Sequence, residues 1–246
     1  MISIKLKGVW NRFLKVLFPE CVTCDLCGGE LVADTRYNLC GSCTEKLPLN
    51  FGKICLVCGT PLADEGDYCI RCQNTESKFE KNRSPLVYEG EAAKLILMLK
   101  FGGKKYLAET LSALMADTFV EYNLSADILV FVPMTVKEQK KRGFNQSELL
   151  ARAIGKRLNI EVAEGLLKVK DTSLQKQLSA RDRAKNLEDA FLSNPQLVKG
   201  KSVVIVDDVF TTGSTANECA KALLKAKATR VNVLTAAVTK QKILME

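Results

Sequence analysis

The sequence predicts an α/β protein, a parallel sheet flanked by helices, preceded by a small cysteine-rich domain. Three observations support this. Ile128 to Val132 (ILVFV) and Val203 to Val206 (VVIV) are short, fully apolar runs rich in β-branched residues, as in strands buried on both faces. Each runs into a turn and then a helical pattern, and Thr229 to Val238 (TRVNVLTAAV) follows the last helix as a further apolar strand, completing a βαβ unit. Nine of the ten cysteines fall before residue 73, which sets that segment apart.

The totals suit one ordinary domain and a small one: 246 residues, of which 47% are hydrophobic, enough for a proper core. The net charge of +8, from 36 basic and 28 acidic residues, is compatible with phosphate or nucleic-acid ligands without requiring them. There is no histidine. That excludes histidine general bases, Ser-His and Cys-His nucleophile pairs and histidine metal ligands. No secretory signal is evident in Met1 to Glu20, where Lys5, Lys7, Arg12 and Lys15 interrupt the apolar residues. No apolar run approaches the roughly 20 residues that span a bilayer. A reducing cytoplasmic location is expected, where clustered cysteines bind metal more often than they form disulfides.

The first twenty residues read as a basic amphipathic helix ending at Pro19, with Val9, Trp10, Phe13, Leu14 and Leu17 on one face. Docking on its own protein and binding a membrane surface or partner both stand as readings. Four CxxC knuckles follow, Cys24/Cys27, Cys40/Cys43, Cys55/Cys58 and Cys69/Cys72, separated by 12, 11 and 10 residues. Two such pairs make a tetrahedral four-cysteine zinc site, so four make two sites, closed to substrate and therefore structural. Sequential pairing, first knuckle with second and third with fourth, is preferred, with crossed pairing left open. The segment has too few apolar residues to hold itself together, and structural zinc contributes roughly 10–16 kcal/mol in small modules. Cys21 is a spare in CxxCxxC.

Gln73 to Ser84 is polar and reads as a linker, placing the domain division at residues 1–78 and 79–246. Pro85 to Tyr88 is an edge-strand candidate, and Glu91 to Phe101 and Tyr106 to Tyr122 are helical patterns around the Gly102-Gly103 turn. After Ile128 to Val132, the loop Lys137 to Gln146 crowds Lys140, Lys141 and Arg142 against Gly143, just before a helix at Ser147 to Leu158. A basic loop between a buried strand and a helix lies at the carboxyl edge of a parallel sheet, where ligands bind. Cys219 is read as a packed small residue.

The remaining feature is Lys201 to Thr215, KSVVIVDDVFTTGST. Asp207 and Asp208 close a buried strand, a costly arrangement unless both are used. The turn Thr211-Thr212-Gly213-Ser214-Thr215 leads into a helix whose amide end can hold a phosphate. The acidic pair can hold hydroxyls or a divalent cation beside it. Neither GxxxxGK nor GxGxxG occurs, so the rival phosphate loops lack support.

Four apolar residues, two acidic ones, two more, then TTGST resemble the phosphoribosyl pyrophosphate (PRPP) loop of type I phosphoribosyltransferases. The resemblance implies that Asp207 and Asp208 face the ribose hydroxyls while Thr211, Thr212, Gly213, Ser214 and Thr215 wrap the 5′-phosphate. The cysteine pattern resembles a double zinc ribbon. With VP-x(8)-RGFNQ, the segment from Tyr88 through Gly103 and the knuckles, the chain resembles the ComF/GntX family of phosphoribosyltransferase-like proteins linked to DNA uptake in competent bacteria. The family's T-x-x-Q-x-x-L-x(4)-R-x-x-N pattern, with a Phe following, falls on Thr172, Gln175, Leu178, Arg183, Asn186 and Phe191, where such enzymes carry a closing lid. The resemblance implies a type I phosphoribosyltransferase-like sheet and Mg²⁺-dependent PRPP binding, with pentosyl transfer to an unspecified acceptor. Arg142, with Lys100 and Arg183, would neutralise the leaving pyrophosphate. A second implied reading is a catalytically silent module that keeps the pocket but binds single-stranded DNA or helicase-type proteins of the uptake machinery.

Overall fold

The computed structural model describes residues 23–31, 35–63, 66–169 and 190–241. The expected N-terminal helix lies outside them, as does the lid pattern from Thr172 to Asn186, including Arg183. The chain forms two compact units, Met1–Lys46 and Leu47–Glu246.

In the first unit, Thr23 and Glu30 form an antiparallel bridge around the first knuckle. Gly28, at φ +75°, lets the turn close as its N–H donates to the Cys24 carbonyl at 2.8 Å. The second knuckle begins the short helix α1 (Gly41–Glu45), with Cys40 at its N-cap and Cys43 inside it. The start of the second unit repeats this plan. Ile54 bridges Pro61 around the third knuckle. The Gly59 N–H, at φ +70°, donates to Cys55 O at 2.9 Å. Cys69 is the N-cap of α2 (Ile70–Asn74), which contains Cys72.

The second unit continues with β1 (Asn82–Arg83), β2 (Leu86–Val87), α3 (Gly90–Phe101), α4 (Leu107–Glu121), β3 (Ile128–Phe131), α5 (Val136–Arg142) and α6 (Gln146–Leu158). Then come β4 (Glu161–Ala163), β5 (Leu166–Lys168), β6 (Phe191–Ser193), α7 (Pro195–Val198), β7 (Ser202–Phe210), α8 (Ser214–Lys225) and β8 (Arg230–Val238). The main sheet has the order β1-β8-β7-β3-β4, with β2 also on β8, and every pairing in it is parallel. β5 and β6 form a separate antiparallel pair. Val203 to Val206 and Ile128 to Val130 are fully buried at the centre, as their unbroken apolar character requires.

Three expectations are revised. The central strand does not end at the acidic pair; β7 runs on to Phe210, with Asp207 in register with Thr235. The basic stretch after β3 is not wholly loop. Thr135 and Glu138 form a capping box that nucleates α5, and Gly143 at φ +82° ends it. The supposed linker contains β1, where Asn82 and Arg83 are buried because both bond the third-knuckle turn. The Asn82 N–H donates to Val57 O at 2.7 Å, its Nδ2 to Cys58 O at 2.9 Å, and Arg83 Nη2 to Leu56 O at 3.0 Å. The short strands β4 to β6 carry too few alternating residues for a sequence pattern to show them. As expected, Cys219 packs in the core.

Candidate functional site

The thiols gather in two clusters, Cys24/Cys27/Cys40/Cys43 and Cys55/Cys58/Cys69/Cys72, each with its sulfurs within 4.8 Å of one another. Pairing is therefore sequential. Zinc–sulfur bonds of about 2.3 Å in a tetrahedron place sulfurs about 3.8 Å apart. Cys27 and Cys40 lie at 3.8 Å and Cys58 and Cys69 at 3.5 Å, so the donor sets fit zinc. Amides of Gly29 and Cys40 point at Cys27 Sγ and Cys24 Sγ, at 3.4 and 3.3 Å, as thiolates require. Burial raises the Cys24 thiol, but backbone hydrogen bonds from Cys27, Cys40 and Leu26 outweigh it and bring it down to about 6. Burial, then contact with the neighbouring cysteines, pushes Cys43 up to about 12. In the second cluster, hydrogen bonds from Cys58 and Cys72 pull Cys55 far down while the same contacts push Cys58 and Cys72 up. Four such crowded sulfurs can all be thiolates only around a cation.

The second cluster is part of the core of the second unit. Cys55, Cys58 and Cys69 are buried with Phe79, Phe210, Ala216 and Cys219. Phe79 and Phe210 meet edge-to-face, centroids 5.8 Å apart.

Asp207 and Asp208 stand at the carboxyl edge of the central strand, and alternation along β7 lets them be reached from two directions. Lys100 Nζ, in the last turn of α3, lies 2.8 Å from Asp208 Oδ1. Ser147 Oγ, in the first turn of α6, donates to Asp207 Oδ1 at 2.8 Å, as does the Asp208 N–H. Burial, then the charge of Asp208, raises the Asp207 carboxyl to about 7 despite Ser147 and Lys100. Asp208 Oδ2 is buried without a hydrogen-bond partner among the described residues.

The hydroxyl-rich turn follows. Thr212 and Ser214 hydroxyls lie 2.9 Å apart, and Gly213, at φ +82°, is the N-cap of α8. A Cβ on Gly213 would meet Phe210 Cζ at 2.6 Å, so the turn lies tight on the ring. Beside Asp207 a cleft is lined by Val132, Thr211, Gly213, Thr215 and Thr235.

The structure brings Lys100, Asp207 and Asp208 together and sets the 211–215 turn beside them. Arg142 ends α5 and bonds elsewhere, its Nη1 on Gln146 Oε1 at 2.7 Å and its guanidinium 5.1 Å from the centre of the Phe101 ring. Sequence reasoning missed Ser147 and Arg71. Ser147 was legible as a small hydroxyl in a helix's first turn after a buried strand. Arg71 Nη1 donates to Thr211 O at 2.8 Å across 140 residues of sequence, and no local signal shows that.

A parallel sheet with an acidic pair and a hydroxyl-rich turn at its carboxyl edge, joined to paired four-cysteine clusters, defines a zinc-ribbon protein with a phosphoribosyltransferase-like domain. Residues 13–73 match the double zinc ribbon domain family and residues 144–245 the phosphoribosyl transferase domain family. The chain is 32% identical over 217 residues to DNA utilization protein YhgH of Escherichia coli K12, covering 85% of this chain and 94% of that protein. Competence protein F of Haemophilus influenzae is 31% identical over 82% of this chain and 90% of its own. Competence protein ComFC of Bacillus subtilis is 25% identical over 86% and 93%. The chain belongs to the ComF/GntX family. Among solved structures, a glutamine PRPP amidotransferase from B. subtilis overlaps 51% of this chain and 25% of its own at 25% identity and a TM-score of 0.36, a partial likeness. Among the described residues no helix is long and apolar enough to cross a membrane.

Proposed function

We propose that the chain binds PRPP with Mg²⁺ at the carboxyl edge of the sheet and transfers its pentosyl group to an acceptor, in the service of DNA uptake. One observation carries the reading. Asp208 has Lys100 on one oxygen and a buried, unpartnered oxygen on the other, on the strand that runs into the hydroxyl-rich turn at a helix N-terminus. Buried carboxylate oxygens are rarely left unpaired, so a ligand hydroxyl or a cation is the natural partner. Asp207 and Asp208 would accept hydrogen bonds from the ribose hydroxyls, and the amides of Thr211 to Thr215 would hold the 5′-phosphate. Mg²⁺, when bound, neutralises pyrophosphate. Lys100, Arg142 and Arg183 would assist, Arg142 by leaving Gln146. Charge develops at C1 of the ribose as pyrophosphate departs, so positioning and electrostatics suffice without a protein nucleophile. That suits a chain with no histidine. The domain division at residues 78 and 79 belongs to this proposal, as does a cytoplasmic location; the division follows the end of the ribbon match at residue 73.

The experiment is equilibrium dialysis of labelled PRPP with and without Mg²⁺, followed by pyrophosphate release with bases, amines and DNA ends as acceptors. Saturable, Mg²⁺-dependent retention of one PRPP per chain is expected. Absence of retention overturns the binding, and retention without release under any acceptor overturns the transfer.

A second reading, a single-stranded DNA or uptake-helicase binding module that retains the pocket, is favoured by one observation. Phe101 and Tyr106 are 70% and 51% exposed, with the Arg142 guanidinium 5.1 Å from the Phe101 ring centre and Lys104 and Lys105 directly preceding Tyr106, a mixture of aromatic and cationic groups suited to stacked bases. A gel shift on single-stranded DNA over a salt series tests it. Binding that weakens steeply with salt and is lost in Phe101→Ala/Tyr106→Ala is expected, and undiminished binding by that variant overturns the assignment.

A further inference from the structure

The second cysteine cluster does more than close its own knuckles. α2 starts after the ligand Cys69 and carries the ligand Cys72, and Arg71 sits between the two. One guanidinium nitrogen points at Cys58 Sγ, at 3.8 Å, and another donates to the Thr211 carbonyl at 2.8 Å. The same guanidinium lies 5.9 Å from the centre of the Phe210 ring, on which the Gly213 turn rests.

Three further contacts connect these parts. The Lys78 N–H donates to Asn217 Oδ1 in the first turn of α8, at 2.7 Å. Thr60 Oγ1, in the third-knuckle turn, donates to Thr239 O at 2.9 Å, and Thr239 Oγ1 donates to Thr211 O at 3.4 Å. The Thr211 carbonyl thus accepts from both Arg71 and Thr239. A cavity of about 140 Å³, lined by Cys58, Arg71, Thr212, Ser214 and Asn217 among others, separates the cluster from the turn elsewhere. Arg71 lines that space and is the residue that touches both the cluster, at Cys58 Sγ, and the turn, at the Thr211 carbonyl.

We infer that Arg71 is a positioning residue through which the second zinc ribbon sets the shape of the 211–215 turn, so that anion binding by the turn depends on the state of the Cys55/Cys58/Cys69/Cys72 site. The inference rests on the reading of that turn as the phosphate loop. The chemistry is direct. Holding the Thr211 carbonyl away from the ligand keeps its negative oxygen out of the anion's field and fixes which way the following amides face. A guanidinium anchored by a thiolate on one side and the Phe210 ring on the other is a rigid donor for that task.

The test uses the full-length, zinc-loaded protein and two variants, Arg71→Ala and Arg71→Lys. Zinc content, calorimetric affinity for Mg²⁺·PRPP and hydrogen exchange of the 211–215 amides are measured on each. Arg71→Ala should keep two zinc ions per chain, bind PRPP about tenfold more weakly, as loss of one charged hydrogen bond implies, and exchange faster at 211–215 than elsewhere in the sheet. Arg71→Lys, which keeps the charge but cannot span both partners, should fall between. If Arg71→Ala loses zinc or fails to fold, Arg71→Lys is read by the same criteria. Wild-type affinity together with wild-type exchange overturns the inference. Faster exchange in variants of a protein whose wild type takes up no PRPP upholds the coupling while removing the phosphate-loop reading, so the two fail separately.

Discussion

Lys100 Nζ lies 2.8 Å from Asp208 Oδ1, with side chains only 20% and 6% exposed, and it reaches the acidic pair from the last turn of α3. A sequence reading alone leaves this lysine equally well explained as a solvated helix end. Its burial against Asp208 sets it beside the acidic pair, as a carboxylate that deep needs a cation.

Removing that cation exposes the cost. Lys100→Met should destabilise the fold by about 3 kcal/mol, since it leaves an uncompensated buried charge. Asp208→Asn in the same background should recover most of the loss. Urea denaturation of the two single variants and the double variant gives the coupling directly; additive losses would show that the pair is not a unit.

Asp207 makes stability pH-dependent in a defined direction. Its folded value of about 7 lies above the ordinary carboxylate value, so between the two the native state holds a proton that the unfolded chain lacks. Its contribution is therefore complete at low pH and lost as pH rises through about 7. The stability of Asp207→Asn relative to wild type should grow from pH 6 to pH 8, a range in which the zinc thiolates persist. A flat difference across that range would place Asp207 in an ordinary environment.

The two metal sites should behave differently. Cys27 is exposed, whereas Cys58 is buried in the core beside Phe79 and Phe210. Cys27→Ser should lower zinc content from two ions toward one and leave the main thermal transition of the 47–246 unit in place. Cys58→Ser should lower zinc content and that transition together. Metal analysis and calorimetry on both variants decide it, and equal transitions would refute a structural role for the second site in the sheet unit.

Gly213→Ala should cost about 1–3 kcal/mol, because φ is +82° and a Cβ would press on Phe210. The variant should also lose PRPP affinity, as the turn must shift to relieve the contact. Unchanged thermal stability would mean that the turn is looser than its packing indicates.

Much of this was legible in the chain itself. The apolar runs of β3 and β7 announced a buried parallel sheet, and CxxC spacing announced two tetrahedral sites, because both signals are local and periodic. The acidic pair and TTGST were readable for the same reason. What stayed hidden arises from distant partners: Ser147 on Asp207, Arg71 on Thr211, and Asn82 with Arg83 bonding the knuckle turn. A polar stretch such as 73–84 looks like a linker until its side chains find carbonyls that the fold places there. Arg142 shows the converse, a residue picked out by its motif whose bonds run to Gln146 and Phe101 rather than to the acidic pair.

If the acidic pair and the turn form a PRPP site, ligand binding must depend on both carboxylates. Isothermal titration of Mg²⁺·PRPP into wild type and into Asp207→Asn/Asp208→Asn tests it most directly. Saturable heat at one ligand per chain is expected in wild type, absent without Mg²⁺ and lost in a double variant that remains folded with two zinc ions. No heat from wild type, or undiminished affinity in the double variant, would contradict it.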